Sequence, residues 1–391
     1  MKEGWKRHKL NELADMRLGK MLDQNKNKGE FYDYLANVNV QWGEIILDNL
    51  KQMKFESSEF DRYGLNVGDI VMCEGGEPGR CSIWKGQRKV MMIQKALHRI
   101  RAKSEVNSYF LYYYLFYRGK SGYFEGYFTG STIKHFTGES LAKVEIDIPP
   151  IQTQRKIASI LSGYDDLIEN NLKRIKILEE MAQQTYEEWF VRMRFPGYDS
   201  AVMNEETGLP EGWEKVKLGE YLNFKKGKKV EEICGSKEIG TEKVLLLDSL
   251  ESGKFNFTKI GKHELVKRGD ILMLMDGARS SYVFQADNGI IGSTLAKVDL
   301  KKIPSSFMFY YFQNNLEWLQ INNTGAAIPH ANPKFIKSIN FKLPKEKILM
   351  LWEDFANPII DNIWNLKDQN QRLREARDLL LPRLMMGIVE V

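Results

Sequence analysis

The stretch EGWKRHKLNELADMRLGK (residues 3–20) returns as EGWEKVKLGEYLNFKKGK (residues 211–228), with eight of eighteen positions identical. The identities include Gly4/Gly212, Trp5/Trp213, Leu10/Leu218 and Gly19/Gly227. Whether this is chance or duplication is decided by the segments downstream of each copy. LNVGDIVMCEGGEPGRCSIW (65–84) resembles LVKRGDILMLMDGARSSYVF (265–284), and NSYFLYYYLF (107–116) resembles SSFMFYYFQN (305–314). GSTIKHFTGESLAKVEIDIP (130–149) resembles GAAIPHANPKFIKSINFKLP (325–344), matching Ile133 with Ile328 and His135 with His330. The offset shrinks steadily, from 208 through 201 and 198 to 195 residues. Four blocks in one order mark a duplicated unit with short loop deletions.

A chain of 391 residues, 43% hydrophobic and 28% charged, is long enough for two domains with separate cores. No apolar run reaches the length of a membrane span, and MKEGWKRHKL lacks the apolar core of a signal peptide. Cys73, Cys81 and Cys234 are too few for a disulfide framework and form no CxxC pair. These features point to a cytoplasmic, reduced protein. The net charge of +5, from 57 basic and 52 acidic residues, permits nucleic-acid binding without demanding it.

Each copy has one plan. Strand-like segments with Gly-Asp and Gly-Gly turns come first, then an aromatic-rich helix expected to pack on the sheet. A Gly/Ser/Thr loop comes next, and a proline, Pro149 or Pro344, introduces a long helix. In the first helix Ile157, Leu161, Tyr164, Ile168, Asn171, Ile175, Leu178, Ala182, Thr185 and Trp189 alternate by four and three. In the second, Ile348, Trp352, Phe355, Ile359, Asn362, Leu366, Gln369, Leu373, Ala376 and Leu380 do the same. This is a heptad-type seam, and an Asn at the fifth seam position of each fixes register at a cost in stability. Pro358 suggests a kink or a helix start.

The expected fold is α+β. Two similar mixed α/β domains are separated by two long helices that pair as an antiparallel coiled coil, with a pseudo-two-fold internal repeat. The boundaries are 1–150, 151–195, 196–343 and 344–391. Helices of about 33 residues span about 50 Å, against about 34–36 Å for one turn of DNA. Two readers at such a separation would read two short sequences and leave the bases between them unread.

The chain resembles the specificity (S) subunit of type I restriction-modification systems. The resemblance is carried by IPPIQTQRKIASIL (148–161), YEEWFVRMRFPG (186–197), GLPEGWEKVKLGE (208–220) and DLLLPRLMMGIVEV (378–391), and it covers nearly the whole chain. The second helix departs from it, opening LPKEKILMLWEDF without the double proline and Gln of the first. The resemblance implies two target recognition domains, a bipartite gapped target in double-stranded DNA, and helices that bind two methyltransferase (M) subunits. Two restriction/translocase (R) subunits complete the enzyme. It implies that this chain binds no cofactor of its own; S-adenosylmethionine, ATP and Mg are expected on the partner subunits.

The residues themselves carry no catalytic signature. Adenine methylation needs an Asn/Asp-Pro-Pro-aromatic loop for the flipped base, and the lone Pro-Pro, in IPPIQ, lies between isoleucines and reads as a helix-entry turn. GGEPGRCS (75–82) and GKKVEEICGSK (227–237) do not fit GxxxxGK[ST]. Five scattered His give no metal spacing, and His135 and His330 fall in different domains.

The expected role is therefore recognition, by loop side chains that reach base edges and phosphates. The candidates in the first domain are Arg17, Lys20, Arg80, Thr129, Ser131, Thr132, Lys134 and His135. In the second they are Lys225, Lys228, Arg279, Ser280, Ser281, His330, Asn332 and Lys334. The loops differ between the copies, GSTIKH against GAAIPH, which predicts an asymmetric target. FLYYYLF and FMFYYF read as core rather than stacking platforms, and WFVRMRF and LLLPRLMMG as packing helix ends rather than membrane elements. Two alternatives stand beside this reading. One is a protein-binding coiled-coil scaffold. The other is the specificity subunit of a related restriction class with a combined nuclease-methylase partner.

Overall fold

The structure, a computed structural model, describes residues 4–23 and 27–391; Glu3, which opens the first copy of the repeat, lies outside them. The chain divides into two compact units, Met1–Leu172 with Lys367–Val391, and Lys173–Leu366. Each takes one copy of the repeat and a portion of both long helices.

In the first unit an antiparallel sheet runs in the order Ala14–Leu18, Leu97–Ala102, Ile70–Cys73, Cys81–Ile83. The inner strand IVMC is apolar throughout because both of its faces are buried. A second sheet sets Lys51–Phe55 antiparallel and Met92–Ile93 parallel to Glu30–Leu35. Lys6–Lys9 pairs with Glu145–Ile148, just before the long helix. The aromatic run forms the helix Ser108–Lys120, N-capped by Asn107, whose side chain accepts from the Phe110 amide at 3.0 Å. Phe110 to Phe116 are all buried, so this run is core.

The second unit repeats the order, with Leu222–Lys226, Leu295–Leu300, Ile271–Leu274 and Val283–Gln285 in one sheet. Glu214–Lys217 pairs with Asn340–Leu343, and the aromatic helix is Ser305–Asn314. The identities of the opening repeat have physical causes here. Leu10 and Leu218 are fully buried. Gly19 and Gly227 donate equivalent amides, to the carbonyls of Leu97 and Leu295, each at 2.9 Å. A Cβ on Gly19 would lie 2.4 Å from the Gln94 backbone, and one on Gly227 2.3 Å from Gly292 O. No side chain fits at either crossing.

The long helices are Ile151–Tyr186, prolonged by a π-turn Glu187–Val191, and Glu346–Met385. The IPPIQ entry is structural: Gln154 accepts from the Asn107 amide at 2.8 Å and donates to Pro149 O at 2.9 Å. Within the first unit the helices run antiparallel, since Asp165 meets Arg377 and Asn171 meets Asn370. Arg377 donates to Asp165 at 2.5 Å, and the Tyr113 hydroxyl donates to the same carboxylate at 2.6 Å, tying the helix pair to the aromatic helix. Within the second unit Tyr186, Trp189 and Phe190 surround Trp352, with ring centroids 5.7, 6.0 and 5.4 Å away.

Burial varies along the expected seam. Ile157, Leu161, Ile168, Asn171, Ile175, Trp352, Ile359 and Leu366 are buried, and Tyr164, Leu178, Trp189, Phe355, Leu373 and Leu380 are half-buried. Asn362 is a correction: it is exposed, and the seam steps from Ile359 by four to Ile363, then to Leu366 and Asn370. A four-three alternation can leave Ile359 by either step, and the apolar side chain at 363 takes the buried place. The seam Asn is thus Asn370, not Asn362, and Gln369 is exposed beside it. In the first helix Tyr186 replaces Thr185 for the same reason. Pro358 neither starts nor ends a helix; it sits on an exposed turn beside exposed Asp354, whose carbonyl it leaves without an N–H partner.

Candidate nucleic-acid interface

Each unit clamps together two loops that lie far apart in sequence. In the first, Thr129 and His135 exchange backbone hydrogen bonds at 2.8 Å, closing a tight loop. The Phe136 amide then donates to Glu74 O at 2.7 Å, fastening that loop to the turn after Ile70–Cys73. In the second, Thr324 and His330 close the same loop at 2.8 and 2.7 Å, and the Ala331 amide donates to Met275 O at 2.8 Å. Buried Phe136 and Ala331 anchor the loops from below.

On this platform Thr129, Ser131, Thr132, Lys134 and His135 are exposed, and so are His330 and Lys334 in the second unit. Lys134 lies 2.7 Å from Glu125 in a pair that is itself solvent-exposed, so a phosphate competes for it at little cost. Arg17 is exposed, 3.3 Å from Asp15. It points away from the loop, because Met16 and Leu18 on the other face of its strand line a cavity with His98 and Thr137. Lys225 holds the equivalent place, 2.9 Å from Asp299. Lys228 is exposed.

Five of the expected contact residues serve the fold instead. Lys20 is 3% exposed; its ammonium donates to Glu59 at 2.5 Å and to Lys54 O at 2.9 Å. Arg80 spends its guanidinium on Glu77 and Asn37 O, each at 3.0 Å, pinning its own loop. Ser280 and Ser281 are buried, joined to Asn323 at 2.7 Å each. Asn332 caps the helix Pro333–Ser338, accepting from the Phe335 amide at 3.0 Å. Small polar residues next to Gly or Pro belong to turns and caps as readily as to ligands, and the sequence does not separate these uses. Arg279 is half-buried, paired with Glu251 and stacked 5.0 Å from the Tyr282 ring.

Lys226 and Asp276 are functional candidates that sequence reasoning missed. Asp276 receives Lys226 at 3.0 Å and His330 Nδ1 at 2.8 Å. Partial burial works to raise the Asp276 pKa, but the bonds from His330 and then Lys226 hold it below the usual carboxylate range. Strand alternation was the available signal: one residue beyond Lys225 faces the loop, where the first copy has Leu18. In the repeat Gly75 stands opposite Asp276, so His135 packs on a bare backbone. The two platforms share a frame and differ in charge. Among the described residues no three His, Cys, Asp or Glu side chains converge as a metal site.

Comparison with known proteins agrees with this architecture. The sequence profile described as "Type I restriction modification DNA specificity domain" matches residues 2–180 and again 210–367. The chain belongs to that family. It is 28% identical to the type I restriction enzyme MjaIX specificity subunit of Methanocaldococcus jannaschii, over 83% of this chain and 78% of that protein. It is 32% identical to the type I restriction enzyme HindI specificity subunit of Haemophilus influenzae, over 66% of this chain and 71% of that one. The fold matches the crystal structure of the type I restriction-modification S subunit from M. genitalium, with TM-score 0.60 and 17% identity over 97% of this chain and 96% of that one. The twofold match of the family profile falls on the two copies of the repeat.

Proposed function

We propose that this chain is the sequence-reading subunit of a type I restriction-modification enzyme, and that it recognises its DNA target without performing catalysis. The observation that carries this is one frame built twice, with the same two loops clamped together in each unit and different side chains on them. Matched frames suit two half-sites of one duplex, and unmatched side chains suit two different base sequences. The target is thus bipartite, gapped and asymmetric. The exposed candidates Thr129, Ser131, Thr132, Lys134, His135, Lys228, His330 and Lys334, with Lys226, supply phosphate and base contacts. Two methyltransferase and two restriction subunits dock on the long helices, bringing S-adenosylmethionine, ATP and Mg to the assembly.

The test is a methylome. The chain is expressed with the methyltransferase encoded beside it, in a host without adenine methylation, and modified adenines are mapped by sequencing. A gapped motif with two unlike halves is expected. A continuous motif refutes the two-reader reading, and two identical halves refute the asymmetry. An assembled complex that leaves the genome unmethylated refutes the recognition reading.

A further inference from the structure

Three of the six residues in the clamped loop are the same in both units: GSTIKH (130–135) and GAAIPH (325–330) share Gly, Ile and His. Two of the three have a cause within the fold. Gly130 and Gly325 sit at φ +92° and +90°, where a Cβ would lie 2.3 Å from the carbonyl oxygens of Ile133 and Ile328. His135 and His330 set their rings against the facing turn, His135 on Gly75 and His330 on Asp276 at 2.8 Å. Ile133 and Ile328 have no such cause, since they are 65% and 58% exposed. Their polar and small neighbours have diverged between the copies: Ser131 against Ala326, Thr132 against Ala327, Lys134 against Pro329. A branched apolar side chain is held in water at the tip of a loop too tight to fold it inward, twice.

We propose that Ile133 and Ile328 are wedges, each pressed into the base stack of its own half-site and unstacking one base step. The inference rests on the DNA-recognition reading above. Apolar side chains inserted between base steps meet the part of a duplex with no charge to offer, and unstacking is repaid by closer contact along the groove. The loop is built for such a thrust. Its ends are joined by two hydrogen bonds, its base is fastened to the sheet, and its tip carries a side chain with few rotamers to lose. In the first unit Ser131, Thr132 and Lys134 on the same loop meet the phosphates that flank the step.

The test uses the full chain in complex with its methyltransferase and a duplex carrying the mapped target. 2-Aminopurine is placed in turn at each step of both half-sites. The wild type is expected to bind and to brighten, in each half, one probe besides that at the adenine the methyltransferase flips. Ile133→Ala is expected to abolish the signal in one half and Ile328→Ala in the other, each with roughly tenfold weaker binding, the scale of one lost base contact. Ile133→Leu and Ile328→Leu are expected to restore the signal. Both positions are exposed, so the alanine variants leave the cores intact. Alanine variants that bind and brighten the probes as the wild type does overturn the wedge and leave recognition standing. A wild-type complex that does not bind overturns both. Loss of affinity on replacing one thymine by deoxyuridine, equal to that of the alanine variant and without any probe signal beyond that of the flipped adenine, overturns the wedge in favour of contact with a thymine methyl group.

Discussion

Replacing Asn370 by Leu tests the seam. Asn171 donates to Asn370 at 2.9 Å, and the two are 6% and 1% exposed. Asn370→Leu takes the acceptor away and leaves an amide buried in the apolar seam between Ile168 and Ile175. An abandoned buried donor costs about 1–3 kcal/mol. Gln369 Oε1 lies 3.5 Å from the same Asn171 nitrogen and offers a poorer replacement. The expected loss therefore falls in the lower half of the range, about 1–2 kcal/mol. For a unit of this size that is a drop in Tm of about 2–8 °C. The double variant Asn171→Leu/Asn370→Leu is expected to return to wild-type stability or exceed it, because an apolar pair replaces a pair of polar groups without leaving either unmet. Scanning calorimetry of the full chain reads the first unit's transition in all four proteins, and the cycle gives the coupling. The reasoning fails if Asn370→Leu melts with the wild type, or if the double variant is no more stable than the single.

Asp165→Ala leaves the Arg377 guanidinium with Asp378 alone, at 2.8 Å; burial works to lower the Arg377 pKa, and Asp165 and then Asp378 raise it above its ordinary value. The first unit should lose about 2 kcal/mol, the scale of a hydrogen bond between charged groups, and Tyr113→Phe nearer 1 kcal/mol, as for one hydrogen bond; equal losses in a urea titration would contradict the geometry. Lys20→Met should destabilise the first unit while leaving the methylated motif and the salt dependence of DNA binding unchanged; altered specificity would return Lys20 to the interface. Lys228→Ala and Lys334→Ala should each lower the slope of log K against log salt by about 0.9 if each meets one phosphate, and an unchanged slope excludes that residue. Asp276 has a folded pKa below its unfolded one, so its contribution is complete above about pH 4 and is lost as pH falls through the lower folded value. Asp276→Asn should flatten the second unit's loss of stability on that acid limb, and superimposable urea midpoints from pH 6 down to pH 2.5 would refute the coupling.

The duplication was legible because its identities answer to constraints a sequence displays. Leu10 and Leu218 fill the same core position, and Gly19 and Gly227 pass the same backbone crossing. The aromatic helices were legible for a similar reason, since seven consecutive apolar and aromatic residues have nowhere to go but inside. The seam was legible to within one step. Asn362 and Asn370 are told apart by whether the chain leaves Ile359 by three or by four residues, which packing decides. The interface was the least legible part. Lys20 and Arg80 have the residue types of a DNA contact, but their partners Glu59 and Asn37 lie 39 and 43 positions away, where no local pattern points; Asn332, just before Pro333, carries a helix-cap pattern that its residue type alone does not tell from a contact. Lys226 was missed because its role depends on Asp276, fifty positions along the chain.

The division into units gives synthesis an unusual order. The second unit is one unbroken stretch, residues 173–366, while the first is completed by residues 367–391. Among those late residues, Leu381, Leu384 and Met385 belong to the core that holds Leu10 and Phe110. On the ribosome the half begun first is therefore finished last. Its sheet and aromatic helix must wait, with one flank uncovered, while the whole of its sister is made. A premature stop in the final helix would fall hardest on the half that stands at the opposite end of the gene.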